Sequence, residues 1–94
     1  MLLLLLACGV APGAFDDEYA GAFCERHLTC DDAATLALLG WSSEADCRAA
    51  LEPEGGCDGF SRRAAARCLD GIEAMSCRNV AADAWPEECA AVCP

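Results

Sequence analysis

The chain has no lysine, a single histidine and only six aromatic residues among its 94 positions. Its six cations are all arginines, set against sixteen acids, and the formal net charge is −10. A surface this acidic repels phosphate backbones and argues against nucleic acid as a partner. No CxxC occurs, which excludes a thioredoxin-like redox pair, and no CxxCH, which excludes covalent c-type haem. No G-x-S-x-G nucleophile motif is present, and any Ser-His-Asp or Cys-His system would depend on His27 alone. β-Branched residues are scarce and no window sustains strand alternation, so a sheet is not expected. The opening apolar run, Leu2 to Ala7, is six residues long, whereas a membrane-spanning helix needs about 20.

Abundance lies elsewhere. The apolar fraction is 55%, but twenty of those residues are alanine and nine are cysteine, so the core must be thin. A single domain of this size buries only about 60% of its unfolded surface and usually needs added restraints. Nine cysteines in a short exported chain read as a disulfide scaffold. The count is odd. Setting Cys8 aside leaves Cys24, Cys30, Cys47, Cys57, Cys68, Cys77, Cys89 and Cys93, enough for four bridges.

Cys8 closes the run Leu5-Leu6-Ala7-Cys8. This resembles the lipobox of bacterial lipoproteins, in which a leucine stands three before a cysteine that is lipidated and becomes the mature N-terminus. The resemblance implies a signal-peptide remnant over residues 1–7. It makes residues 8–15 a lipidated cysteine and flexible tether, and residues 16–94 the cysteine-rich domain. No basic residue precedes the leucines, so a truncated start, with the natural one upstream of Met1, is an expectation. The alternative is an ordinary signal cut after Ala11 or Ala14, which leaves no lipid. Gly9 follows Cys8 where an aspartate would resemble an inner-membrane retention signal, so the outer membrane is expected.

The rest reads as all-α, a small disulfide-stapled bundle of about four short helices. The first is expected from about Asp16 to Thr29, with Ala20, Phe23, Cys24, His27 and Leu28 inward. "DDAATLALLG" adds one or two turns capped by Gly40. A second helix follows "WSSEADC", where Ser43 and Asp46 have capping-box spacing, and Pro53 stops it. The third runs from about Gly59 to Met75, with Ala64, Ala65, Cys68, Leu69, Ile72 and Met75 as its apolar stripe. A short fourth starts at Pro86 and carries Glu87 and Glu88 in its first turn.

Four features, "FCERHLTC", the step into "SSEADC", "AAARCLDGIEAMSC" and "PEECAAVC", together resemble small cysteine-rich lipoproteins of myxobacteria and their relatives. That resemblance implies export, disulfides and helices, and it implies no activity. Plant lipid-transfer proteins and seed albumins, also eight-cysteine helical folds, carry adjacent Cys-Cys and C-x-C, which are missing here.

Cys24, His27 and Cys30 have offsets of three that could ligate zinc, with Cys89 or Cys93 completing the set. The competing reading is two bridged cysteines and a half-buried packing histidine, and an oxidising compartment favours it. Arg62, Arg63 and Arg67 could bind an anion or a partner, although pairing with nearby acids is the plainer expectation. Trp41 and Trp85, each just ahead of an expected helix, are read as packing. Among 105 possible pairings, helix order favours Cys30–Cys47, Cys77–Cys89, Cys24–Cys68 and Cys57–Cys93.

The expected protein is a monomeric, non-enzymatic envelope lipoprotein, structural or protein-binding and without cofactor. It meets the membrane through Cys8 and has an envelope or extracellular protein as its possible partner. A freely secreted inhibitor-like or effector-like module and a reduced zinc-binding protein are the alternatives.

Overall fold

A computed structural model of the chain describes residues 10–51 and 57–93. The fold is all-α, with no strand among those residues. Its helices are α1 (Pro12–Cys30), α2 (Ala33–Leu39), α3 (Glu44–Ala50), α4 (Arg62–Glu73) and α5 (Cys77–Ala81), followed by a 3-10 turn over Glu87–Ala91.

Each start has a local cause. Pro12 occupies the first position of α1, where its missing N–H costs nothing. Asp32, Ser43, Ser61 and Ser76 cap the next four helices, their side chains accepting from Thr35, Asp46, Ala64 and Asn79 N–H. The Ser43–Asp46 spacing forms half the expected capping box. Ser43 Oγ accepts from Asp46 N–H, and the Asp46 carboxylate reaches back one residue further, to Ser42. Those bonds from Ser42 hold the Asp46 carboxyl below the usual carboxylate range. Gly40 ends α2 in the left-handed region, at φ 77°.

Three boundaries differ from the sequence reading. α1 begins at Pro12, not Asp16, because Val10 and Phe15 are core residues. Residues 12–15 are therefore helix, not tether. α4 begins at Arg62, not Gly59, because Gly59 turns the chain at φ 79° and leaves Ser61 as the cap. α5 was not expected, and it arises because Ser76 caps a fresh helix just after α4 ends. The last element is a 3-10 turn that Pro86 precedes, not a helix that Pro86 opens.

α1 is the spine, and α3, α4 and α5 all pack on it. At 19 residues it is about 28 Å long. The main core lies where α1 meets α4. Val10, Phe15, Ala64, Ala65, Cys68, Leu69, Ile72 and Met75 are buried there, and Val80 and Val92 close its ends. Alanine is small enough to let the two helices approach, but it also buries little area.

All eight described cysteines form disulfides: Cys24–Cys47, Cys30–Cys77, Cys57–Cys93 and Cys68–Cys89. Only Cys57–Cys93 coincides with the expected set. Cys30–Cys47 does not form because α3 runs back along α1, which carries Cys47 past Cys30 to Cys24. Cys77–Cys89 does not form because Cys77 opens α5 beside the end of α1, where Cys30 waits. Cys24–Cys68 does not form because those two side chains leave their helices toward α3 and the 3-10 turn. The chain then folds back so closely that Gly71 has no room for a Cβ, which would sit 2.6 Å from Pro86 Cγ.

Two outcomes follow from this arrangement. Each bridge contributes about 2–4 kcal/mol, so four rival the 5–15 kcal/mol stability of a whole domain. Complete reduction should abolish helical circular dichroism and cooperative melting, and retention of both would show that the alanine-rich core suffices alone. Separately, Gly71→Ala gains about 1 kcal/mol of helix propensity but forces the rigid Pro86 ring aside, at about 1–3 kcal/mol. Its melting temperature should fall with the disulfides intact.

Candidate functional site

The sequence places the most specific chemistry at Cys8, which lies outside the described residues. The first described residue, Val10, is buried, and its N–H donates to the Arg62 carbonyl at 3.3 Å. One residue, Gly9, separates Cys8 from this docked point. The domain therefore begins much closer to Cys8 than an eight-residue tether would allow.

A second constellation surrounds His27. Phe15, Tyr19, Phe23 and His27 recur every four residues and form a continuous ladder on one side of α1, with ring centroids 5.6, 5.8 and 4.6 Å apart in turn. Trp85 stacks on Phe23 at 4.8 Å, and Trp41 meets His27 edge-on at 5.4 Å. Nδ1 of His27 hydrogen-bonds the Asp31 carboxylate at 2.6 Å, one helical turn on. The side chains of both are mostly buried, at 17% and 11% exposure. The four-residue aromatic spacing was visible in the sequence, although the stripe read there ran through Leu28 instead. Asp31 was missed because it lies just past the helix end.

This arrangement is an imidazole–carboxylate pair inside an aromatic box. Among the described residues no hydroxyl or thiol hydrogen-bonds the ring. The zinc grouping is not assembled either. Cys24 and Cys30 are committed to Cys47 and Cys77, which leaves neither thiolate free. Among the described residues no three His, Cys, Asp or Glu side chains converge as a metal site. Trp41 and Trp85 both pack on the His27–Phe23 pair, as ring contacts show.

A groove of about 690 Å³ opens at the N-terminal half of the ladder, walled by Phe15, Tyr19 and Phe60. Arg48 lines it, bonded to Glu44 at 2.9 Å and to Asp17 at 3.1 Å. Its guanidinium is held above its usual pKa, chiefly by the Glu44 bond. The third candidate, Arg62, Arg63 and Arg67, is exposed on α4. The expected pairing with acids is not made among the described residues. The ion pairs among the described residues are Arg26–Glu25, His27–Asp31, Arg48–Asp17 and Arg48–Glu44.

No protein-family model matches this chain, and no curated protein or solved structure matches it.

The His27 environment makes a measurable claim. His27→Gln removes three ring contacts and the aligned bond to Asp31. It should lower stability by about 1–3 kcal/mol in chemical unfolding with disulfides intact. A change below about 0.5 kcal/mol, the size of an ordinary surface substitution, would show that the box does not need the imidazole.

Proposed function

We propose that this chain is a lipid-anchored protein of the bacterial cell envelope. It is held through Cys8 at the outer membrane or cell surface and serves a structural or protein-binding role without catalysis. The observation that carries the reading is the cysteine pairing. Eight cysteines satisfy one another, and the ninth, left over, is the one that ends Leu5-Leu6-Ala7-Cys8. Four disulfides are consistent with a place outside the cytoplasm. Among the described residues no helix is long and apolar enough to cross a membrane.

The core also supports this reading over a freely secreted module. A cut after Ala11 would remove Val10, which is 6% exposed and packed against the main cluster. A cut after Ala14 would also remove the first turn of α1. A cut before Cys8 keeps both.

Expressed from its own gene, the protein should carry an acyl mass on Cys8 and fractionate with membranes. Cys8→Ser should lose that mass and move to the soluble fraction. Unchanged mass and unchanged membrane fractionation in the mutant would refute the anchor.

A further inference from the structure

α4 carries its charge against its own dipole. Arg62 and Arg63 occupy its first turn, where acids belong, and Asp70 and Glu73 lie toward its other end. Arg67 lies one turn beyond Arg63 on the same exposed face, and like charges four apart repel. In a chain with sixteen acids for six arginines, chance favours pairing. Arg26 and Arg48 are paired. Arg62, Arg63, Arg67 and Arg78 have no ion pair among the described residues, and the first three share one helix.

The same end of α4 is where the chain departs toward Cys8. Val10 N–H is bonded to the carbonyl of Arg62 itself. Two residues of chain span at most about 7 Å, so an anchor at Cys8 would hold Val10 close to the membrane. An acyl anchor on Cys8 would bring the start of α4 down to the headgroup layer.

We propose that Arg62, Arg63 and Arg67 are a second membrane contact, seated on the phosphates of anionic phospholipids and fixing which face of the anchored domain meets the bilayer. The inference rests on the anchor at Cys8. With a net charge of −10 the free domain is not drawn to such a surface. Once the chain is anchored, screening over about 8 Å at physiological salt confines the lipid's field to the nearest charges. Arg62 and Arg63, at the Val10 contact, are among those charges, against Asp16 and Asp17 on α1 and Asp58 ahead of α4. The acids of α4, Asp70 and Glu73, lie toward its far end.

The test uses arginine-selective labelling with phenylglyoxal, read residue by residue by mass. Full-length disulfide-bonded protein is coupled through a free Cys8 thiol to maleimide-lipid vesicles, so tethering does not depend on natural acylation. On phosphatidylglycerol vesicles, labelling of Arg62, Arg63 and Arg67 should fall about fivefold relative to phosphatidylcholine vesicles. Arg78, exposed on α5, should label equally on both. The protection should vanish at 1 M salt. Equal labelling of the three arginines on both vesicles, or protection of Arg78 as well, would overturn the proposal. Intact mass of the natively expressed protein reports the anchor independently, so failure of the anchor and failure of the arginine contact give different results.

Discussion

Two sulfur–sulfur bonds to the first helix organise this molecule. Cys24–Cys47 lays α3 back along α1, and Cys30–Cys77 brings α5 to its far end. The other two hold the C-terminal segment: Cys68–Cys89 on α4 and Cys57–Cys93 on the turn before it. Among the described residues the α1–α4 contact alone joins long helices without a covalent tie. It relies on Phe15, Leu69, Ile72 and Met75 against a bed of alanines. A core with so few large side chains buries too little apolar area to hold five helices by itself. The bridges supply the difference by restricting the unfolded chain.

Once those ties are made, the aromatics have little freedom left. The ladder Phe15–Tyr19–Phe23–His27 runs along α1, and α3's lead-in and the C-terminal segment deliver Trp41 and Trp85 to its upper half. Phe60 meets its lower end at Phe15. The ladder therefore seams three parts of the chain that no single bridge connects. His27 belongs to that seam, and Asp31 satisfies its polar edge at the point where α1 stops. Arg26, from the same stretch, donates to the Met75 carbonyl at 3.0 Å and so closes the end of α4.

The polar surface is divided as unevenly as the core. Arg48 is held between α1 and α3 by Asp17 and Glu44, and Arg26 is tied to Glu25 and α4. Arg62, Arg63 and Arg67 on α4 have no such duty among the described residues, and the carbonyl of Arg62 accepts from Val10 N–H. Anchor and cationic face at one end would orient an otherwise acidic domain away from the membrane.

The helical class, the cysteine scaffold and two of the caps were legible in the sequence because they depend on neighbours three or four residues apart. Ser43, Gly40 and the stripe Ala64–Cys68–Leu69–Ile72 are of this kind. So was the parity that singles out Cys8. The start of α1 was not legible, since Ala11 and Pro12 read as linker until Val10 and Phe15 are seen packed on α4. Neither was the partner of Cys30, Cys24 or Cys68. Proximity along the chain favours short loops, but the observed loops span 21 to 47 residues. Which cysteine meets which depends on the direction in which α3 and the 3-10 turn fold back. That direction is decided by long-range packing, through Gly71 beneath Pro86 and alanine against alanine-rich faces. Sequence alone thus determined that eight cysteines would pair as four bridges. The tertiary structure decided the pairs, because helix direction is a property of the packed core and not of any local stretch.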